Sequence, residues 1–233
     1  MQKDSFTTKS ISASVLPDKF HHLHTKPAKL YVKGEASLLE RKPIVGIVGS
    51  RRFTPYGKRL ATDVAETLAR AGVPVVSGLA LGIDSIAHRA CIEAGGQTIA
   101  VLPCGIDTVY PANHRGIADQ ILARGGLLIS EYEGSLLPMR HQFIERNRLI
   151  AALSDVLFIP EAAEASGSLH TARFALELGK PILVWKVGNT DVGRQAAASH
   201  TARLTAGYEL YRTAFRLGGF IEVRDIDDLV DIC

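Results

Sequence analysis

The chain has 233 residues, of which 46% are hydrophobic and 22% are charged. This length and composition fit a globular protein with a substantial core, organised as one large α/β domain with or without a short arm. The 27 basic and 24 acidic residues give a net charge of only +3. A uniformly basic surface for nucleic acid is therefore excluded, and any polyanion site must be a local concentration of positive charge.

Cysteine usage and the absence of targeting signals predict a cytoplasmic setting. Cys91, Cys104 and Cys233 show no C-x-x-C spacing, and their odd number argues against a disulfide framework. The first residues, MQKDSFTTKS, lack the apolar core of a secretory signal, and no run approaches the ~18 apolar residues that span a bilayer. We therefore predict no membrane partner, and we predict neither a metal site nor a cofactor.

Two segments of different character follow each other along the chain. Residues 1–42 have weak periodicity and are predicted to form an N-terminal arm, with LYVKG at 30–34 as a lead-in strand. Residues 43–233 are predicted to form a Rossmann-like core. In this core, apolar β-rich runs alternate with helical patterns. The predicted strands are 44–50, 73–78, 97–103, 126–132, 155–162 and 181–188.

Predicted helices follow these strands at 56–72, 85–95, 114–125, 142–155, 168–179 and about 199–217. Strands that are apolar throughout and alternate with helices are typical of a parallel sheet covered on both faces. The predicted fold class is therefore α/β, with a doubly wound, mostly parallel, extended Rossmann-like sheet.

Unusual polar segments follow several predicted strands, at the edge where doubly wound sheets bind ligands. They are Gly49-Ser50-Arg51, then Ser77-Gly78 with Gly82 in SGLALGID, and Ser166-Gly167-Ser168. Consecutive amides in such turns can form an anion-binding nest, with Asp84 predicted as a helix N-cap. A tight turn that needs glycine explains each loop equally well, but their convergence favours a phosphate site. Neither G-x-G-x-x-G nor Walker A is present.

The segment QFIERNRLIAALSD carries Arg146, Asn147 and Arg148 near the start of a predicted helix. Because a helix amino end disfavours cations, an anion partner is expected for the two arginines. That anion is either a phosphate, which an arginine fork binds bidentately, or the carboxylate of Glu131 or Glu161. Phe143 offers a face on which a base can stack, although a core position is equally compatible with its pattern.

Several motifs along the chain resemble those of a known protein family. IVGSRRFTPYG, VVSGLALGIDSIAHRACIEAGGQTIAVLPCGIDTVYP, ISEYEG, FIERNRLIAALSD and EAAEASGSLHTARFALELGK stand in the order found in the DNA-processing protein A (DprA/Smf) family. The resemblance runs from about Leu30 to Lys180. It implies a non-enzymatic protein that binds single-stranded DNA, protects it during natural transformation, and hands it to the RecA recombinase as a homodimer.

The resemblance also implies the residues that bind DNA. The corresponding positions are Gly49, Ser50, Arg51, Ser77, Gly78, Gly82, Phe143, Arg146, Asn147, Arg148, Ser166, Gly167 and Ser168. The segment 188–217 departs from the family pattern, and the chain leaves no room for the flanking domains of many relatives. Two alternatives therefore stay open: a nucleotide-binding sensor, and a phosphoribohydrolase similar to the lysine-decarboxylase-like enzymes, whose P-G-G-x-G-T-x-x-E motif is missing here.

Overall fold

The computed structural model describes residues 6–162, 166–184 and 219–222. Within these residues, nine strands form one sheet in the order β1-β2-β6-β5-β4-β3-β7-β8-β9. The strands are β1 Lys9–Ser12, β2 Lys29–Gly34, β3 Val45–Ile47, β4 Val75–Ser77, β5 Thr98–Val101, β6 Leu127–Ser130, β7 Val156–Ile159, β8 Ile182–Val184 and β9 Phe220–Glu222. The five α-helices of the described part are α1 Pro55–Arg70, α2 Ile83–Glu93, α3 Arg115–Ala123, α4 Arg140–Leu153 and α5 Ser168–Glu177.

The sheet is parallel from β6 through to β9, and only the pairs β1–β2 and β2–β6 are antiparallel. Alternate strand residues point to opposite faces of the sheet, where three hydrophobic clusters form. Side chains of α4 and α5 pack on one face, and those of α1, α2 and α3 pack on the other. This arrangement confirms the predicted doubly wound α/β fold.

The chain order reverses between β3 and β7, which are neighbours although three strands separate them in sequence. Such a switch point leaves a crevice beyond the carboxyl ends of the strands, because the following loops diverge to opposite faces. The loops after β3 and β7 are two of those that the sequence marked as unusual.

The predicted N-terminal arm is part of the sheet. The predicted strand at 30–34 is confirmed as β2, whereas β1 was not predicted. Between them lies Lys19, only 7% exposed, with its Nζ 2.8 Å from Asp155 Oδ2. The same ammonium group donates to the carbonyl of Arg41. This contact ties the segment to the turn between α4 and β7.

Helix α4 begins earlier than the sequence indicated, at Arg140. Arg146 and Arg148 therefore lie in the second and third turns, where the dipole penalty of a helix amino end has faded. The expectation that these two cations lie at the helix start is wrong. The arginine in that position is Arg140, which is exposed.

Two predicted segments lie outside the described residues, namely the last helix at about 199–217 and the final residues, 185–188, of the predicted sixth strand. In the part that is described, no helix is both long and apolar enough to cross a bilayer.

Candidate functional site

A cavity of about 540 Å³ opens at the switch point, between the loop after β3, helix α4 and the start of α5. We call it the strand-end cavity. Eight of the residues predicted from the sequence line it: Gly49, Arg51, Phe143, Arg146, Asn147, Ser166, Gly167 and Ser168. The structure therefore brings together segments that are more than one hundred residues apart in sequence.

Arg146 forms the floor of the strand-end cavity and is only 5% exposed. Its guanidinium donates to the carbonyls of Gly78 and Val101, which follow β4 and end β5, and to Asn147 Oδ1. Burial lowers the pKa of Arg146 to about 10, against an opposing effect of the nearby Asp84 carboxylate. Arg146 remains charged at neutral pH and fixes α4 across two strand ends.

Gly78 is required by this contact. A Cβ atom at residue 78 would lie 2.5 Å from both terminal nitrogens of Arg146. The glycine therefore makes room for a buried guanidinium. Gly78 supports the cavity floor without lining the cavity itself.

The predicted role of Asp84 as an N-cap is wrong. The residue that caps α2 is Gly82, and Asp84 lies inside the first turn, 7% exposed. Its Oδ2 accepts the amide of Gly78 at 3.1 Å, and the Ala80 amide also stabilises the carboxylate. Burial raises the pKa of Asp84, and Arg146 opposes that rise. The amides predicted as a phosphate nest therefore already hold an internal anion.

Three further predicted residues serve the loops that frame the cavity. Ser77 is fully buried and its hydroxyl donates to Ile47 O at 2.6 Å. Ser50 Oγ donates to Arg52 O at 2.6 Å, so this side chain turns back on its own loop. Gly82 has φ of 85°, and a Cβ there would lie 2.3 Å from Ser50 O. These residues shape the cavity but do not line it.

The mouth of the strand-end cavity combines positive charge with aromatic surface. The Arg51 guanidinium carbon lies 5.7 Å from the ring centroid of Phe143. Phe143 meets Tyr110 edge to face, with ring centroids 5.5 Å apart. Arg51, Tyr110 and Arg140 are exposed lining residues. An exposed cation over an aromatic ring offers contacts to a phosphate and to a base at the same place.

The start of α5 forms the opposite wall. Ser166 Oγ and Ser168 Oγ lie 2.7 Å apart, and Asn147 Nδ2 donates to the Gly167 carbonyl at 3.2 Å. Asn147 therefore holds the α5 start against α4. The amino end of α5 adds partial positive charge to this wall, with the exposed His170 beside it.

Arg148 is a predicted site residue that the structure places elsewhere. Its two terminal nitrogens each donate to one Glu131 oxygen at 2.7 Å, and the side chains are 12% and 16% exposed. Arg148 does not line the strand-end cavity. The carboxylate alternative is correct for this arginine, with Glu131 as the partner. Glu161 instead accepts from the amide and hydroxyl of Thr54, the cap of α1.

Sequence reasoning did not include Tyr110, Arg140, Asp84 and His170 among the site residues, although all four line the cavity. Arg140 and His170 carried a usable signal, because each stands within one turn of a segment already marked as functional. Tyr110 carried none, since it lies in the long connection between β5 and α3 and reaches the site only through the tertiary fold.

A doubly wound sheet with an arginine-bearing cavity at its switch point defines a Rossmann-like protein with an anion-binding site. Over residues 8–211 the sequence matches the profile of the family described as DNA recombination-mediator protein A. The chain therefore belongs to the DprA/Smf family of DNA-processing proteins, which confirms the resemblance seen in its motifs. The description of the family names a role in mediating DNA recombination.

Individual relatives agree with this assignment. The chain is 39% identical to Smf of Escherichia coli over 204 residues, covering 79% of this chain and 54% of that protein. It is 36% identical to DprA of Bacillus subtilis over 181 residues, covering 78% of this chain and 61% of that protein. The chain thus spans between about half and three fifths of the length of these curated relatives.

Solved structures agree as well. DprA from Helicobacter pylori, described for its single-stranded DNA binding mode, superposes with a TM-score of 0.78 at 33% identity, over 98% of this chain and 96% of that one. DprA from Streptococcus pneumoniae superposes with a TM-score of 0.78 at 31% identity, over 98% of this chain and 74% of that one. A molybdenum cofactor binding protein from Rippkaea orientalis shares the fold alone. It superposes with a TM-score of 0.53 at 18% identity, over 82% of this chain and 95% of that one.

Proposed function

We propose that this protein binds single-stranded DNA through the strand-end cavity. The observation that carries the proposal is the mouth of the cavity, where Arg51 lies over Phe143 and Arg140 stands exposed at the start of α4. Cations bind the backbone phosphates, and the aromatic pair Phe143–Tyr110 stacks on a base. The H. pylori relative, similar over 98% of this chain, is described as binding single-stranded DNA.

The biological role follows from the same proposal. The protein would protect single-stranded DNA and hand it to the RecA recombinase, as a cytoplasmic homodimer acting in natural transformation or recombination. Family membership supports this role, and the chain contains the core shared with its relatives. The contact with RecA, the homodimer and the cytoplasmic location are parts of this proposal.

Single strands should be preferred over duplex. A duplex is read by an element that enters a groove, whereas an unpaired base can turn into a cavity and stack on an aromatic ring. The strand-end cavity is concave, and its aromatic pair lies beside the guanidinium of Arg51. Bases that are already paired and stacked cannot reach this surface.

The test compares labelled oligo-dT with a matched duplex, using fluorescence anisotropy on the parent protein and on Arg51→Ala with Arg140→Ala. We expect tighter binding of the single strand, and at least a tenfold loss in the double variant from two phosphate contacts. Arg124→Ala is the matched control, because this exposed arginine follows α3 at the opposite edge of the sheet. Its affinity should equal that of the parent.

Other outcomes separate the alternatives. Tighter binding of duplex, or an equal loss of affinity in the double variant and in Arg124→Ala, would overturn the proposal. The volume of the cavity also suits a free nucleotide, since small-molecule sites occupy roughly 300–1,000 Å³. Binding of nucleoside monophosphates without binding of oligo-dT would support a nucleotide sensor, and release of the base would support the phosphoribohydrolase.

A further inference from the structure

Strand β2 contacts both loops that lead to the mouth of the strand-end cavity. Tyr31 and Lys33 are two residues apart in this strand, so their side chains point to the same face of the sheet. Lys33 Nζ lies 2.8 Å from Asp107 Oδ1 in the loop after β5. The Tyr31 hydroxyl donates to Glu133 Oε2 at 3.1 Å in the loop after β6. Each of these loops continues into a residue that lines the cavity mouth.

The ion pair of Lys33 and Asp107 fixes a carboxylate at a junction of three segments. The Lys33 side chain is only 8% exposed, so its ammonium group depends on this partner, whose side chain is 40% exposed. Thr8, in the N-terminal segment, donates its hydroxyl to the same carboxylate oxygen at 3.3 Å. The amide of Asp107 donates to Gly134 O at 2.9 Å, which joins its backbone to the loop after β6.

Asp107 stands three residues before Tyr110, the aromatic residue that meets Phe143 at the mouth. Val109, between them, is 7% exposed, so this short segment has one anchor in the core and a second in the ion pair. The Tyr110 side chain is 46% exposed, and its ring meets that of Phe143 edge to face. Because almost half of this side chain is exposed, its position depends largely on the backbone that carries it.

Resting on the proposed function of the cavity, we propose that Lys33 and Asp107 are positioning residues for DNA binding. Neither lines the strand-end cavity, and both act through Tyr110. The ion pair holds the ring in the orientation in which it stacks on a base together with Phe143. Without the pair the loop moves, so binding must first order the ring, and the affinity decreases. Strand β2 is thereby a part of the DNA-binding apparatus that never touches DNA.

The opposite charges of the pair separate positioning from a general electrostatic effect. Lys33→Met removes a positive charge and Asp107→Asn removes a negative one, and each keeps the approximate size of the side chain. An electrostatic effect alone would weaken the binding of a polyanion in the first variant and strengthen it in the second. Positioning predicts about a fivefold loss of affinity for oligo-dT in both, a part of what one stacked base contributes. The salt dependence should not change, because no phosphate contact is lost.

A double-variant cycle tests whether the pair acts through Tyr110. Tyr110→Ala should itself weaken binding, and adding Lys33→Met to it should change the affinity by less than about twofold, because the ring to be positioned is gone. A merely structural role would give the same loss in both backgrounds. The controls Lys26→Met and Glu93→Gln make the same two charge changes at exposed positions outside the cavity, and their affinities should equal that of the parent protein.

Thermal melts establish that each variant is folded at the temperature of the binding assay. If either Lys33→Met or Asp107→Asn is unfolded, the other one, measured with and without Tyr110→Ala, decides. Opposite changes in the two single variants, unchanged affinity in both, or an equal loss with and without Tyr110 would overturn the positioning role and leave single-strand binding intact. Absence of oligo-dT binding by the parent protein would instead remove the proposed function itself.

Discussion

His88 in α2 is a titratable side chain held without charge against strands β4 and β5. It is fully buried, and its Nδ1 lies 2.7 Å from Thr98 Oγ1. Because that hydroxyl already donates to Val75 O, Nδ1 must carry the proton and donate. Nε2 then presents a lone pair with no partner among the described residues. Burial, followed by the nearby His114 and Arg146, lowers the pKa of His88 to about 3.

This histidine predicts an acid sensitivity. In the unfolded chain His88 binds a proton near pH 6.5, whereas in the folded protein it stays neutral until about pH 3. The unfolded state therefore binds more protons as the pH falls, and stability decreases in that direction. From about pH 7 to about pH 5 we expect His88 to remove about 2 kcal/mol from the free energy of unfolding.

Urea unfolding at the two pH values measures the effect. In His88→Gln the loss should shrink by about that 2 kcal/mol, because the side chain no longer titrates. The control is His141→Gln, which changes an exposed histidine and should leave the pH dependence of the free energy of unfolding as in the parent protein. An unchanged pH dependence in His88→Gln would assign the acid sensitivity to other groups.

At the level of single residues, the sequence identified which side chains bind anions better than it identified the anion that each one binds. It marked both Arg146 and Arg148, and it named the two anions available to them, phosphate and carboxylate. Which arginine takes which anion depends on the direction of each side chain from α4. Arg146 reaches back over Gly78, while Arg148 reaches Glu131. Residues two apart on a helix point to nearly opposite sides, so the packing of α4 on the sheet decides what each arginine reaches, and the sequence alone does not specify that packing.

Helix α4 is attached to the end of β6 by the ion pair of Arg148 and Glu131. The pair is bidentate at 2.7 Å and largely buried, so loss of one partner leaves the other charge poorly solvated. For Arg148→Ala we expect a decrease of about 2–4 kcal/mol in the free energy of unfolding. DNA affinity, measured where the variant is still folded, should change less than threefold, because Arg148 lies outside the strand-end cavity.

A matched exposed pair shows how much of that decrease comes from burial. Arg173 and Glu177 form an i,i+4 pair at 2.9 Å on α5, with the arginine side chain 79% exposed. Arg173→Ala should cost less than about 1 kcal/mol. The double variant Arg148→Ala with Glu131→Ala should be less destabilised than the sum of its parts. Weak DNA binding by a folded, stable Arg148→Ala would contradict this structural role and assign Arg148 to the DNA-binding surface.

At the level of elements, strands were the easiest to predict. β3 to β7 are short, buried on both faces and bounded by polar turns, so their apolar runs are unambiguous. β1 was missed because KSIS is mostly exposed at the sheet edge and carries no apolar pattern. The nest around Gly78 was misread because its anion, Asp84, is six residues away and occupies it from within the same chain.

The whole molecule carries little net charge, so its affinity for DNA depends on a few local cations. Formal net charge is +3, and only Arg51 and Arg140 combine exposure with a position on the strand-end cavity among the arginines and lysines of the described residues. Arg146 is held by internal carbonyls and Arg148 by Glu131. A protein that neutralises about two phosphates on a single strand releases correspondingly few counterions.

We therefore expect a shallow salt dependence of single-strand affinity. Two phosphates predict a slope of about −1.4 in a plot of log affinity against log salt concentration. The measurement is a titration of short oligo-dT from low to high salt, repeated with Phe143→Ala. That variant should lose about 1–3 kcal/mol of binding free energy at every salt concentration, with an unchanged slope, because stacking is uncharged. A slope steeper than about −3 would require cations outside the cavity, such as a second binding surface, and a slope near zero would leave Arg51 and Arg140 without a phosphate role.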